Sequence, residues 1–365
     1  MRSFCKRLLA SLAALLLSVT LAIPAAAVEC TFSDVSPDSP WYESVEYLAD
    51  RCITVGNSSG LYRPDDPITV RQWAVMICRA FDRTEALKAD AEEFGTACLK
   101  ESFRNGWISM EGLMAPDTVM YRGALYQNAF NVAGVTVFDY DLYPEGETLD
   151  PDENCLRVAR ELGLYTGEGT VVEIVTRGEA AALLHAVLTR DLKVEDPPMM
   201  TQLPIVNEAG VNMNSFLREL RRIPEPIMQE FQRLGWTYMV EFEHLAELGE
   251  LYKTSCVGAT NYSEKRIYVA EADSTAHEFG HFLDGYLGFP SEHTSYYKNE
   301  AKAASAFLRE YALTSSAEYY ADYFAYWLRC HSDANRAEQM QRLTPQTFAY
   351  FNSLEASNWG VRSAD

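Results

Sequence analysis

Apolar residues along the chain recur at spacings that predict particular elements. Trp41, Val45, Leu48 and Ala49 fall at helical intervals, and so do Trp73, Ala74, Ile77 and Phe81, so each set predicts one amphipathic helix. Between them, Gly56 to Pro67 is rich in turn formers and predicts a loop. Looser copies of this helix, loop, helix pattern run through residues 96–133 and 154–188. Each copy ends with a loop, an arginine and an amphipathic helix, and the arginines are Arg71, Arg122 and Arg177. Their separations of 51 and 55 residues define an internal repeat. Farther on, Lys265-Arg266-Ile267-Tyr268-Val269-Ala270 predicts a short strand, and Asp273 or Ser274 can cap the helix that follows.

The first residues predict export. Arg2, Lys6 and Arg7 precede an apolar run from Leu8 to Ala22, and Ala25-Ala26-Ala27 offers a small-residue cleavage site, so residues 1–27 read as a secretory signal peptide. No later stretch holds 18 consecutive apolar residues, so no membrane association is expected after signal removal. A chain of 365 residues suggests two or three domains, and 48% hydrophobic residues exclude a mostly disordered one. The Pro-rich residues 195–204 predict a spacer between domains.

Charge and cysteine content narrow the partners. Without residues 1–27, 28 basic residues face 52 acidic ones, a net of −24; residues 28–196 carry −16 of this and residues 197–365 carry −8. Such acidity excludes a general nucleic-acid binder. Seven cysteines remain after Cys5 leaves, an odd number with no C-x-x-C pair, which disfavours a cysteine-built zinc site; Cys30 and Cys52 could form a local disulfide.

The first repeat carries Phe32-x-Asp34-Val35, Trp41, Gly56, Gly60, Pro64 and Ile68-Thr69-x-Arg71, the third keeps Val175-Thr176-Arg177-Gly178-Glu179, and the second retains Tyr121-Arg122-Gly123. These residues resemble the S-layer homology (SLH) family. The resemblance implies repeats at 30–92, 93–142 (degenerate) and 143–194. It also implies a mainly α, three-pronged module that binds an anionic secondary polymer of the bacterial cell wall through Arg71, Arg122 and Arg177. A guanidinium beside free helix N-terminal N–H groups suits such an anion. Gly56-Asn57-Ser58-Ser59-Gly60 matches the nucleophile-elbow pattern, but it lies in the repeat's loop rather than between a strand and a helix, so it predicts only a turn.

Beyond the spacer stands His277-Glu278-Phe279-Gly280-His281. In a helix, His277 and His281 lie one turn apart on one face, where two imidazoles can bind one Zn²⁺ and Glu278 can take a proton from a water. A third ligand must be distant, because Asp284 and Leu287 occupy the third and sixth positions after His281. Glu292, Glu300, Glu310 and Glu318 are the candidates. Glu300 stands 19 residues past His281, a spacing similar to that of thermolysin-like enzymes. Glu318 shares a helix face with Asp322, which could orient a ligating histidine, and is preferred; Asp284 is a second candidate for that orienting role. His244, His293 and His331 have no ligand spacing.

His277-Glu278-Phe279-Gly280-His281, Asp284 and Glu318-x-x-Ala321-Asp322-x-Phe324-Ala325 resemble the lethal-factor-like zinc peptidases, which include the anthrax toxin protease and secreted Pro-Pro endopeptidases. The resemblance implies that Tyr311, seven residues before Glu318, donates to the oxyanion of the tetrahedral intermediate. In peptidases of this type an edge strand before the active helix binds extended substrate; residues 265–270 could be that edge or an ordinary core strand. The expectation is therefore a multidomain chain, with a mainly α SLH module followed by an α+β zincin-type (gluzincin) metallopeptidase domain at 205–365. It would be a monomeric, secreted zinc-dependent metalloendopeptidase on the bacterial cell wall, acting on protein or peptide substrates. A cell-wall-binding protein with a vestigial peptidase domain is the alternative.

Overall fold

A computed structural model describes residues 32–81 and 93–361. The signal peptide at 1–27, Cys30 with its expected bridge to Cys52, and residues 82–92 of the first repeat lie outside the described residues. The chain divides into two compact units, one of residues 1–135 and 155–193, the other of residues 136–154 and 194–365. Residues 136–154, expected at the junction of the second and third repeats, thus belong with the second unit. Phe138 and Leu142 are buried in its core, which explains the placement.

The first unit is helical: α1 Tyr42–Asp50, α2 Val70–Ala80, α3 Phe94–Arg104, α4 Arg122–Ala133, α5 Pro151–Glu161 (from Cys155 onward) and α6 Arg177–Thr189. The expected apolar faces are buried, with Val45, Leu48 and Ala49 on α1 and Trp73, Ala74 and Ile77 on α2. Thr69 and Gln72 form a reciprocal capping box that starts α2, and Thr176 caps α6 by accepting from the Glu179 amide. Tyr121 stands at the same point before α4 and supplies no side-chain cap, so the second repeat's drift has a local physical expression. Gly56 and Gly60 take positive φ in the loop before α2, where Asn57 Oδ1 accepts from the Ser59 and Leu61 amides; the nucleophile-elbow pattern is a turn.

The three repeats close on one another through backbone. The Ile68 amide donates to Val175 O at 3.2 Å, Val175 to Met120 O at 3.1 Å and Met120 to Ile68 O at 2.9 Å. All three side chains are buried. The ends of the ring are further tied where α1 packs on α6: Tyr47 stacks on His185 with centroids 4.2 Å apart, and a Cβ on Gly178 would lie 2.7 Å from the Trp41 indole.

In the second unit a four-stranded sheet is ordered β1-β2-β4-β3, with β1 Ile205–Asn207, β2 Thr237–Val240, β3 Gly258–Asn261 and β4 Arg266–Val269. β1, β2 and β4 run parallel and β3 pairs antiparallel to β4. The predicted strand at 265–270 is therefore β4, an interior strand with Ile267, Tyr268 and Val269 buried; the free edge beside it is β3. Residues 195–204 are not a detached spacer. They contain α7 Pro198–Gln202, bury Leu203, and lend Pro204 O to the Tyr238 amide. The longer helices of the unit are α8 Asn214–Leu220, α9 Glu225–Arg233, α10 Glu243–Tyr252, α11 Thr275–Tyr286, α12 Tyr296–Ala304, α13 Ser316–Cys330, α14 Ala334–Leu343 and α15 Pro345–Ala356. Its core is aromatic: Phe231, Phe279 and Phe282 cluster on one side of α11, and Phe324, Trp327 and Phe351 where α13 meets α15.

Candidate functional site

α11 and α13 lie side by side in extensive contact. Their approach is permitted by Gly280, where a Cβ would fall 2.7 Å from Ala321 Cα. This contact brings a pair of histidines on one helix against two carboxylates on the other. The expected Asp273 or Ser274 cap is not made: Ser274 occupies the N-cap position, but its hydroxyl donates to Glu271 O and Val257 O instead.

Three side-chain atoms converge. His277 Nε2 lies 3.0 Å from Glu318 Oε2, His281 Nε2 lies 3.3 Å from the same oxygen, and the two Nε2 atoms are 3.1 Å apart. His277 Nδ1 is 2.7 Å from Asp322 Oδ1. A carboxylate can only accept, so Nδ1 carries a proton and Nε2 is the end left for the cluster. Glu318 Oε2 is buried and faced by the two imidazole Nε2 atoms. Tetrahedral coordination at about 2.0–2.1 Å separates neighbouring ligands by about 3.3 Å, so this triangle is the size a zinc ion requires. Among the described residues it is the one such grouping of His, Cys, Asp and Glu.

The electrostatics also suit a cation. Burial works against an ionised Glu318, but the two imidazoles outweigh it and hold the carboxyl well below its usual range. Burial likewise opposes a charged His277, yet Asp322 and Glu318 push it up to about 9. The pocket thus favours a positive charge at its centre.

Around this triangle stand the other expected residues. Glu278 is buried, and burial raises its carboxyl above the ordinary value. Its Oε2 accepts from Thr260 Oγ1 at 2.7 Å, and a Cβ on Gly258 would come within 2.4 Å of Oε1. Tyr311 is half exposed, with its ring centroid 6.0 Å from that of His277; burial and the Glu318 charge push its hydroxyl up to about 12, so it stays protonated. Asp284 does not orient a histidine. It is buried, accepts from the Ser291 amide at 3.0 Å and hydroxyl at 2.6 Å, and so pins the turn after α11. Glu300, the open alternative ligand, is equally committed: it accepts from the amides of Gln346 and Thr347 and from the Thr347 hydroxyl at the start of α15. Sequence reading missed Thr260 and also Arg309, whose guanidinium grips both oxygens of Asp322. No periodicity or motif marks either, because each contact joins segments remote in the chain.

In the first unit the three arginines differ. Arg122 is buried, bound to Glu173 at 2.6 Å and Glu179 at 3.0 Å, with its guanidinium over the Tyr165 ring; it braces the repeats and is closed to a polymer. Arg71 pairs with Asp117 through two hydrogen bonds, and Arg177 donates to Tyr62 O. Both line a cavity of about 420 Å³ with Arg63 and Arg79, where Asp66 is the carboxylate. The expected free helix-start N–H groups are taken: the amides of Arg71, Arg122 and Arg177 donate to Pro116, Glu173 and Asp66 carbonyls of neighbouring repeats.

The S-layer homology domain family matches residues 31–69, which span α1 and the loop leading to α2. Such domains generally bind secondary cell-wall polymers, and this one supports a cell-surface or S-layer association in bacteria. No curated protein matches the chain significantly. Among the described residues no helix is long and apolar enough to cross a membrane.

Proposed function

We propose that the second unit is a zinc metalloendopeptidase, held at the cell wall by the first, that hydrolyses peptide bonds of extracellular or surface proteins. The observation that carries this reading is the convergence of His277 Nε2, His281 Nε2 and Glu318 Oε2 beside the buried Glu278. The resemblance of these residues and Tyr311 to lethal-factor-like peptidases supports it. Zinc held there would polarise a scissile carbonyl and make a water acidic.

The chain's own groups do the rest. Glu278, made more basic by burial, takes the proton of the attacking water and passes it to the leaving amine. Thr260 fixes one of its oxygens and leaves the other free. Tyr311, protonated at neutral pH, can donate to the oxygen on which negative charge develops. Asp322 orients His277. β3, the free edge beside Glu278, offers unpaired backbone groups to an extended peptide. In the first unit, Arg63, Arg71, Arg79 and Arg177 concentrate positive charge around one cavity and could take acidic groups of a wall polymer despite the unit's net negative charge.

Purified full-length protein should carry about one zinc and cleave members of a broad peptide library. A chelator should stop cleavage and added zinc restore it. A zinc-loaded protein that cuts nothing in the library would sink the reading. In the same preparation, Arg71→Ala with Arg177→Ala should weaken sedimentation with polymer-bearing cell walls; unchanged sedimentation would remove the cavity from the account.

A narrower expectation concerns Thr260. Thr260→Val keeps the shape but loses the donor to Glu278, so kcat should fall about tenfold, the value of one charge-assisted hydrogen bond, with zinc content unchanged. Thr260→Ser should retain most activity. Equal kcat for the valine and serine variants would contradict this role.

A further inference from the structure

Arg309 is the residue of the site that no part of the foregoing mechanism uses. Its side chain is 61% exposed, whereas its partner Asp322 is 4% exposed. Arginines this open to solvent ordinarily gain little from an ion pair. Here the pairing is two-pronged, with Nε donating to Oδ2 at 3.1 Å and Nη2 donating to Oδ1, and Nη2 also lies 3.3 Å from His277 Nδ1. The planar fork therefore sits against the back of the carboxylate that orients His277.

The position of Arg309 in the chain gives this contact a second consequence. Arg309 immediately precedes the short 3-10 turn Glu310–Leu313, which carries Tyr311. One residue, Glu310, separates Arg309, whose guanidinium lies at the Nδ1 side of His277, from Tyr311, whose ring centroid is 6.0 Å from that of the same imidazole. The turn has other anchors on both sides: Leu308 and Ala312 are buried, Tyr311 O accepts from the Thr314 amide and hydroxyl, Leu313 O accepts from Tyr297, and the phenol itself has Glu318 as a hydrogen-bond partner. Half exposed, Tyr311 is not held by packing alone. We infer that Arg309 is a positioning residue: by clamping Asp322 it fixes both the orientation of His277 and the place of Tyr311. The inference rests on the zinc-peptidase reading for its kinetic consequences, though not for its structural ones.

The test compares Arg309→Met, which keeps length without charge, with Arg309→Lys, which keeps charge without the fork. Zinc affinity, read by competition with a chromophoric chelator, should fall about tenfold in the methionine variant, the lower end of what outer-layer changes cost, and less in the lysine variant. Amide hydrogen exchange across residues 309–314 should quicken in both. On a cleaved peptide kcat should drop with KM little changed, and Arg309→Met should cost less in a Tyr311→Phe background than alone, because the two act as a unit. Unchanged zinc affinity and unchanged exchange in both variants would overturn the inference. So would fully additive losses with Tyr311→Phe. If the wild-type protein binds zinc but cleaves nothing, the peptidase reading fails, while affinity and exchange still decide the role of Arg309.

Discussion

Glu278→Gln should leave zinc bound and remove nearly all cleavage. The substitution is nearly isosteric, so the space Gly258 leaves for this side chain is still filled and Thr260 can still donate to the amide oxygen. What disappears is the basic oxygen. General acid–base groups contribute about 10²–10⁴-fold, and Glu278 would serve in two proton transfers, so kcat/KM should fall toward the upper end of that range. Metal analysis on the same sample separates loss of the base from loss of the site. Activity within tenfold of the wild type, with zinc unchanged, would mean that another group is the base.

The second large effect divides two glutamates that sequence spacing alone leaves in competition. Glu318→Ala removes one vertex of the ligand triangle, and zinc affinity should fall by more than the roughly 10–100-fold that changes outside the ligand set produce. Glu300→Ala should keep zinc and lose stability instead. It strands two backbone amides and a hydroxyl at the start of α15, at a cost on the order of 3 kcal/mol. Chelator competition and thermal melting of both variants give a crossed pattern. Retained zinc affinity in Glu318→Ala would disqualify it as a ligand.

The features legible in the sequence are those that a helix makes local. His277 and His281 meet because they are four residues apart on α11, and Glu318 and Asp322 for the same reason on α13. The face of α2 was legible from Trp73, Ala74 and Ile77 in the same way. Contacts between remote segments were not. Thr260 reaches Glu278 from a strand, Gly258-Ala259-Thr260-Asn261, in which Thr260 is the one β-former and no alternation announces the strand, which is also why β4 rather than β3 stood as the candidate edge. Asp284 has the helical spacing of an orienting carboxylate but turns to Ser291. Arg122 has the repeat position of its counterparts, yet only its neighbours Glu173 and Glu179 reveal that it is enclosed. Residues 195–204 have the composition of a spacer, and their burial depends on a core assembled elsewhere in the chain.

The backbone ring through Ile68, Met120 and Val175 sets the first unit apart from open arrays of repeats. In a solenoid each repeat touches only its neighbours, the ends need capping, and length can change by whole repeats. Here each of the three amides finds its acceptor in a different repeat, and the third returns to the first. Such a closed circuit has no terminal unit, and inserting a fourth copy would break a bond to admit it. The degenerate second repeat therefore has a structural part apart from any binding: the backbone of Met120 is a link in the circuit.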